Sequence, residues 1–522
     1  MFVTKTLVQK SIISLIILLF TFALIRTAWI GDDAFITFRT IDNLVNGYGA
    51  VWNIGERVQT YTNPLWMLLL TVPYFFSHEI YFTALFLSIG ISLVAIYVLL
   101  FQLQKNMAAS LLTASILLIS HAFIDFSTSG LENPLTHLLI IAFVFTYFST
   151  KALPRRRLFM LALIASLAMV NRLDSILLFL PALLFELYRQ LSWRNLSTML
   201  LGALPVITWE IFALIYYGFF LPNTYFAKLH AGIPAIHLIY QGLIYCLESL
   251  KNDPITLLVI IASLVCSYHL YKNTPSHTNF ALRISHFALP LGSLLYILYV
   301  IKNGGDFMAG RFFSAPFILG LASLQPTISA FFPEKKTKES VIISTSICLG
   351  IFIAISSYWF SQPISVEPTI PLNGIVNERG FFFPSTALVN QTRSQVVPPH
   401  SWAIYGAQIR SDNSSHRSYQ QTIIFPNIGF LGYFAGPKIY IIDPLGIADP
   451  FIARESIDLQ KEWRIGHYVR TLPNGYLESK EEKNNKILSA EKAAHYETFQ
   501  KIIAGPIFAP ERWQLIWQRK GF

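Results

Sequence analysis

Charge is what this chain has least of. Asp, Glu, Lys and Arg make up only 13% of its 522 residues, while 53% are hydrophobic and 15% aromatic. Soluble globular domains carry about 25% charged residues, so a water-soluble fold is excluded for most of the length. Cysteine is almost missing: Cys246, Cys266 and Cys348 lie in or beside apolar segments at no metal-ligand spacing. That excludes a disulfide framework and a zinc site. No Gly-rich phosphate loop, HExxH pair or serine nucleophile elbow occurs, so cytoplasmic ATP chemistry has no support. The net charge of +10 is not a nucleic-acid footprint either. Much of it lies in short loops between apolar runs, where the positive-inside rule accounts for it.

What the chain has instead is apolar runs, with a mean hydropathy of +0.49. Candidate spans fall at 11–30, 80–103, 108–126, 133–150, 155–171, 174–190, 197–218, 254–272, 281–301, 311–332 and 341–361. The first has Lys5 and Lys10 before it, as a secretory signal would, but it is long and lacks a small-x-small cleavage site, so it reads as an uncleaved span. Pro64–Phe76 is apolar too, yet it makes only about 20 Å of helix and contains Pro73, so a helix lying along the membrane is expected. With 64–76 left out and the N-terminus cytoplasmic, Lys105, Lys151-Arg155-Arg156-Arg157, Arg189, Arg194, Lys272, Arg283 and Lys335-Lys336-Lys338 all fall inside. Counting 64–76 as a span would turn the clusters after it outward. The outer side then receives the loop 31–79, several turns and the tail 362–522, so the polar chemistry gathers on one face.

The tail shifts to mixed charge and has the size of a domain. Lys438–Ile442 and Ser401–Ile409 read as strands and Ala490–Ile503 as a helix, which predicts a small α/β unit.

Five groups of residues on the outer face hold ionisable side chains. Asp32-Asp33 opens a helix Ala34–Val45. One Asp would suffice as an N-cap, whereas two adjacent carboxylates repel, raising the pKa of one towards a general base. Arg172 and Asp174 interrupt an apolar run of about 42 Å as a helix; at that depth they are either an internal ion pair or a recessed cationic site for a phosphate. Asp306 and Arg311 belong to a Gly-rich turn, Gly304–Arg311, with Arg311 read as a snorkelling arginine or a site residue. Lys228 and His230 lie in the outer segment Pro222–His230. Glu132 lies in Thr128–Pro134, a helix start whose polar atoms would face a cavity.

Gly31–Arg39, Trp52–Arg57, Tyr61–Trp66, Thr128–Pro134, Arg172–Asp174, Leu221–Leu229, Gly304–Phe312 and Ile442–Pro450 together resemble the GT-C glycosyltransferases, nearest the terminal arabinofuranosyltransferase and "flagellar motor control" ZomB-like group. The likeness runs through nearly the whole chain in order. It implies a polytopic α-helical membrane protein of GT-C fold, with about eleven transmembrane helices, juxtamembrane helices in the first outer loop, a transmembrane catalytic domain over 1–361 and a C-terminal soluble, extracytoplasmic α/β domain over 362–522 of the kind such enzymes use to engage carbohydrate. The implied activity is inverting transfer of a pentose or hexose, arabinofuranose-like, from a polyprenyl-phosphate donor to an envelope glycan or surface acceptor at the bacterial cytoplasmic membrane. Carried over, Asp32 is the base and Asp33 its partner. Arg172, Arg311, Lys228, Asp174, Asp306 and Arg39 fall to the donor phosphate, and Glu132, His230, Tyr61 and Asn63 to the acceptor cavity. No cofactor is required, although the acid pair leaves room for a divalent cation. The expected partners are lipid-linked donor, glycan acceptor and membrane lipid, with no nucleic acid. Gln59-Thr60 departs from the group's usual residues, which leaves acceptor fit open. The competing class is a transporter or a non-enzymatic assembly or motor-control factor; no repeat of paired broken helices supports the transporter.

Overall fold

The structure is a computed structural model and describes residues 7–104, 106–149, 153–273, 280–332, 338–362, 370–392, 394–414, 421–457 and 463–518. Lys105, Lys151, Lys335 and Lys336 of the loop-charge argument lie outside them, as do the side chains of Arg283 and Lys338.

The chain is a polytopic helical membrane protein, and each apolar run became a helix or a broken pair. Among the described residues four helices are long and apolar enough to cross a bilayer: Val8–Thr27, Ile80–Leu103, Pro254–Asn273 and Glu339–Ser361. Two bent pairs raise this to six: Trp193–Gly202 with Leu204–Tyr217, bent by 56°, and Arg311–Ser323 with Gln325–Phe331, bent by 47°. Of the remaining expected spans, 281–301 falls in the 23-residue helix Phe280–Lys302, and the others are shorter helices. The run 108–126 breaks at Ser120, whose hydroxyl caps the following turn by accepting the Phe123 amide. The bundle core is aliphatic and aromatic throughout, with Phe20, Leu117, Phe143, Phe179, Leu289 and Phe317 all buried.

Pro64–Ser77 is a helix of 14 residues, about 21 Å long. Trp66, Met67, Leu70 and Tyr74 are buried, whereas Leu68, Val72, Phe75 and Phe76 are exposed at helical spacing. An apolar outer face on a helix too short to span is what an interfacial helix requires.

The tail is mostly helical. Its sheet among the described residues is a parallel pair, Thr422–Ile424 on Tyr440–Ile442, in the register Thr422↔Tyr440. The helix Ile428–Ala435 supplies the crossover between them, as parallel pairing requires. The strand expected at Ser401–Ile409 is instead part of the helix Ser401–Ser414. Its buried positions Ala403, Gly406 and Ile409 recur every third residue, which fits a helix and not the period of two in a strand.

The tail is bolted to the first loop. Asn53 exchanges two hydrogen bonds with Ile441, at 2.9 and 3.2 Å. Glu56 takes Lys480 at 2.7 Å, the Tyr440 hydroxyl at 2.7 Å and Gln500 at 3.1 Å. Arg39 donates to the Trp52, Gly432 and Ile439 carbonyls and stacks on the Trp52 ring at 4.2 Å. Such buried charges are tolerable because every one is answered.

Candidate active site

The helix Asp32–Val45 begins on the two acids, yet neither caps it; Gly31 holds the N-cap position without a side-chain bond. Asp32 caps a different helix. Its Oδ1 accepts the Phe430 amide at 2.6 Å and its Oδ2 the Gly429 amide at 3.2 Å, at the start of Ile428–Ala435. Those amides have no partner within their own helix, and the positive helix end favours an anion. A Cβ at residue 429 would stand 1.9 Å from the Asp32 carbonyl and 2.6 Å from Oδ2, so only glycine permits this approach.

Burial pushes the Asp32 carboxyl up to about 7; the two amides oppose this and the charge of Asp33 adds to it. The result is a carboxylate fixed in direction and titrating near neutrality, the combination a general base needs. Each oxygen keeps a second lone pair for a substrate proton.

Asp32 and Asp33 open onto a solvent-accessible cleft between the first loop, the segment around Lys228, the Gly-rich turn and the tail. Lys228, Glu378, Arg464 and His467 also line it. The Lys228 ammonium lies 5.3 Å from the Phe307 ring and the Arg464 guanidinium 5.4 Å from the same ring. Arg464 is held by the Gly374 carbonyl at 2.9 Å. Burial lowers Arg464 from its usual value, partly offset by Glu378, Asp306 and Asp33. Burial, with the neighbouring Arg464 and Lys228, lowers His467 to about 4, so its ring is neutral at pH 7. Burial, then the charge of Asp33, raises Glu378 well above the carboxylate range.

The other expected site residues gather behind this cleft, around Glu132. Its Oε1 accepts Arg172 at 3.0 Å and Arg311 at 3.1 Å, and its Oε2 accepts Asn63 at 2.9 Å. Arg172 also grips Asp174 through two bonds of 2.9 and 2.6 Å, so the internal ion pair is present and fixes the turn. Arg311 lies 3.8 Å from Asp306, next to Phe307 on the cleft wall.

Three further expected residues belong neither to the cleft nor to the Glu132 cluster. Arg39 is buried, with each of its three guanidinium nitrogens bonded to a backbone carbonyl. The Tyr61 hydroxyl is paired with that of Tyr217 at 2.8 Å. His230 is exposed, bonded to the Tyr225 hydroxyl at 2.8 Å. Conversely, the sequence reading missed Glu378, Arg464 and His467. Their signals were weak: an acid just before the aromatic run Phe381–Phe383, and a cation and histidine around Gly466. Among the described residues no group of three or more His, Cys, Asp or Glu is arranged to hold a metal.

The chain is similar to two curated proteins. It is 27% identical to the terminal beta-(1->2)-arabinofuranosyltransferase of Mycobacterium tuberculosis, over 85% of this chain and 81% of that one. It is also 27% identical to the protein of the same name from Corynebacterium glutamicum, over 84% of this chain and 72% of the other. No protein-family model matches. Among solved structures, ArnT from Cupriavidus metallidurans bound to undecaprenyl phosphate aligns with a TM-score of 0.49 at 12% identity, over 82% of this chain and 84% of that one. The relatives bear out the resemblance to glycosyltransferases read from the sequence and the assignment of the chain as an enzyme of that kind.

Proposed function

We propose that this chain transfers a sugar from a polyprenyl-phosphate donor to a hydroxyl of an envelope glycan or surface acceptor, on the outer face of a bacterial cytoplasmic membrane. The observation that carries the reading is the Asp32 carboxylate, held by two amides and tuned to about 7, in a cleft whose charges of both signs stay open to a ligand. The relatives' name favours arabinofuranose as the sugar and a 2-hydroxyl as the acceptor. Eleven spans with the N-terminus inside would put the first loop and the tail outside together, which agrees with their mutual packing.

The donor lipid lies between spans and its phosphate meets Lys228 and Arg464. The acceptor hydroxyl gives its proton to Asp32 as its oxygen bonds to the anomeric carbon. The bond from that carbon to the phosphate oxygen breaks, and the lipid phosphate leaves with the electron pair, stabilised by the two cations. One such displacement inverts the anomeric centre. Asp33, on the cation side of Asp32, keeps Asp32 basic and holds the donor sugar's hydroxyls. Arg172 and Arg311 act through the position of Asp306 and Phe307.

The test uses purified protein in lipid nanodiscs with polyprenyl-phosphate arabinofuranose and an arabinofuranosyl oligosaccharide. Wild type transfers the sugar, and Asp32→Asn loses activity by about 10²–10⁴-fold while still folded. Turnover retained in Asp32→Asn would remove the base assignment. Failure of wild type with arabinose and with a panel of other polyprenyl-phosphate sugars would overturn the function.

A further inference from the structure

The cleft has two unlike ends. Asp33 acts electrostatically on Asp306, Arg311, Arg464 and His467, and also on Glu378, so it faces the cations across from Glu378. Asp32 faces the tail, through the amides of Gly429 and Phe430. Beyond Phe430 on that side lies an aromatic group of the tail, backed by Trp29 on Phe382 and Phe35 on Phe430. Phe382 is 5.6 Å from Phe430, and Trp402 is 6.3 Å from Phe382, 6.5 Å from Phe381 and 4.8 Å from His400. Phe381, Phe382 and Trp402 all line the cleft, with Phe381 and Trp402 only half-buried.

Glu378 lies between the two ends, feeling the charges of Asp33 and Arg464 on one side and leading into the aromatic residues on the other. It starts the helix Glu378–Thr386, so Phe381 and Phe382 follow it at i+3 and i+4, on one helix face. Only 8% of it is exposed, it lines the cleft, and it makes no hydrogen bond or close ion pair among the described residues.

We infer that Trp402, Phe381 and Glu378 form the subsite that binds a sugar ring of the acceptor, beside the hydroxyl that reacts at Asp32. The inference rests on the transferase reading and adds to it where the acceptor lies. A sugar ring presents an apolar face of C–H groups and a rim of hydroxyls. The rings of Trp402 and Phe381 match the face, and Glu378 matches the rim. A polyprenyl tail at this end would leave the buried Glu378 carboxyl without a partner, which is costly. Placing the acceptor here also leaves the cation end to the donor phosphate, with Asp32 between the two.

The test pairs kinetics with direct binding, using full-length protein in nanodiscs and a synthetic arabinofuranosyl trisaccharide. Trp402→Ala should raise the acceptor KM about tenfold, a contact of about 1.4 kcal/mol, while the donor KM moves less than about twofold. Trp402→Phe, which keeps a ring, should recover most of the loss. Calorimetric titration of the trisaccharide without donor should show binding to wild type and a matching weakening in Trp402→Ala. If Trp402→Ala turns over with an unchanged acceptor KM, or only the donor KM rises, the subsite is overturned and the transferase reading stands. If wild type binds the trisaccharide in a Trp402-dependent way without transferring to it, the subsite stands and the transferase reading fails. If wild type neither binds nor uses it, the subsite is overturned.

Discussion

The cleft and the cluster behind it contain the same kinds of charge and use them in opposite ways. In the cluster, Glu132 is fully buried between Arg172, Arg311 and Asn63, and Arg172 is doubly bonded to Asp174. In the cleft, Asp33, Glu378 and Lys228 make no hydrogen bond or close ion pair among the described residues. Paired charges in a dry interior hold a shape, because removing one partner strands the other. Unpaired charges beside water and rings carry no such duty and stay free for a ligand. The difference teaches that an ionisable residue near a membrane surface marks function when no opposite charge closes on it, whatever backbone groups hold it in place.

The comparison can be broken first at Glu132. Glu132→Ala leaves two guanidinium groups facing each other without their shared carboxylate, so a loss of about 3–5 kcal/mol is expected. Thermal unfolding in detergent, or the yield of folded protein, would register it. Normal stability with lost transfer would instead make the cluster part of the chemistry. The cleft should behave in the contrary way at Lys228. Lys228→Ala should change stability by no more than about 0.5 kcal/mol, yet raise the donor KM about tenfold through one lost charge-assisted contact. A donor KM that stays put would move the phosphate away from Lys228.

Much of the scaffold was legible because membrane helices announce themselves by long apolar runs. Pro64–Ser77 was readable as a surface helix from its length, and Ala490–Ile503 and the strand within Lys438–Ile442 came out where expected. Ser401–Ile409 was not, because a short stretch of mixed aromatic and small residues fits either period until its buried face is known. In the site, the acid pair stood out as charge beside an apolar run. Glu378, Trp402, Arg464 and His467 did not, since docking of the tail, more than three hundred residues away, is what brings them to Asp32. Arg39 misled for the complementary reason. It lies close to the acids in sequence, but it is buried with its three nitrogens turned to the carbonyls of Trp52, Gly432 and Ile439.

The finest test of the contrast lies between the two adjacent acids. Asp32 must be ionised to accept a proton, so kcat/KM should rise with pH through about 7, set by its burial and by Asp33. In Asp33→Asn the like charge is gone, so the acid limb should move to lower pH, while burial keeps it above the ordinary carboxylate value of 3.8. Stability runs the other way. The unfolded chain releases this proton near 3.8 and the native chain holds it to about 7. The stabilisation from protonated Asp32 is therefore complete below the first value and lost as pH rises to the second. Removing Asp33 narrows that interval, so Asp33→Asn should gain thermal stability over wild type at pH 8 as its activity limb shifts down. Both movements come from one repulsion across the cleft mouth. A limb that stays at the wild-type position would mean that Asp33 does not feel Asp32, and the cleft would then hold two separate carboxylates instead of one tuned pair.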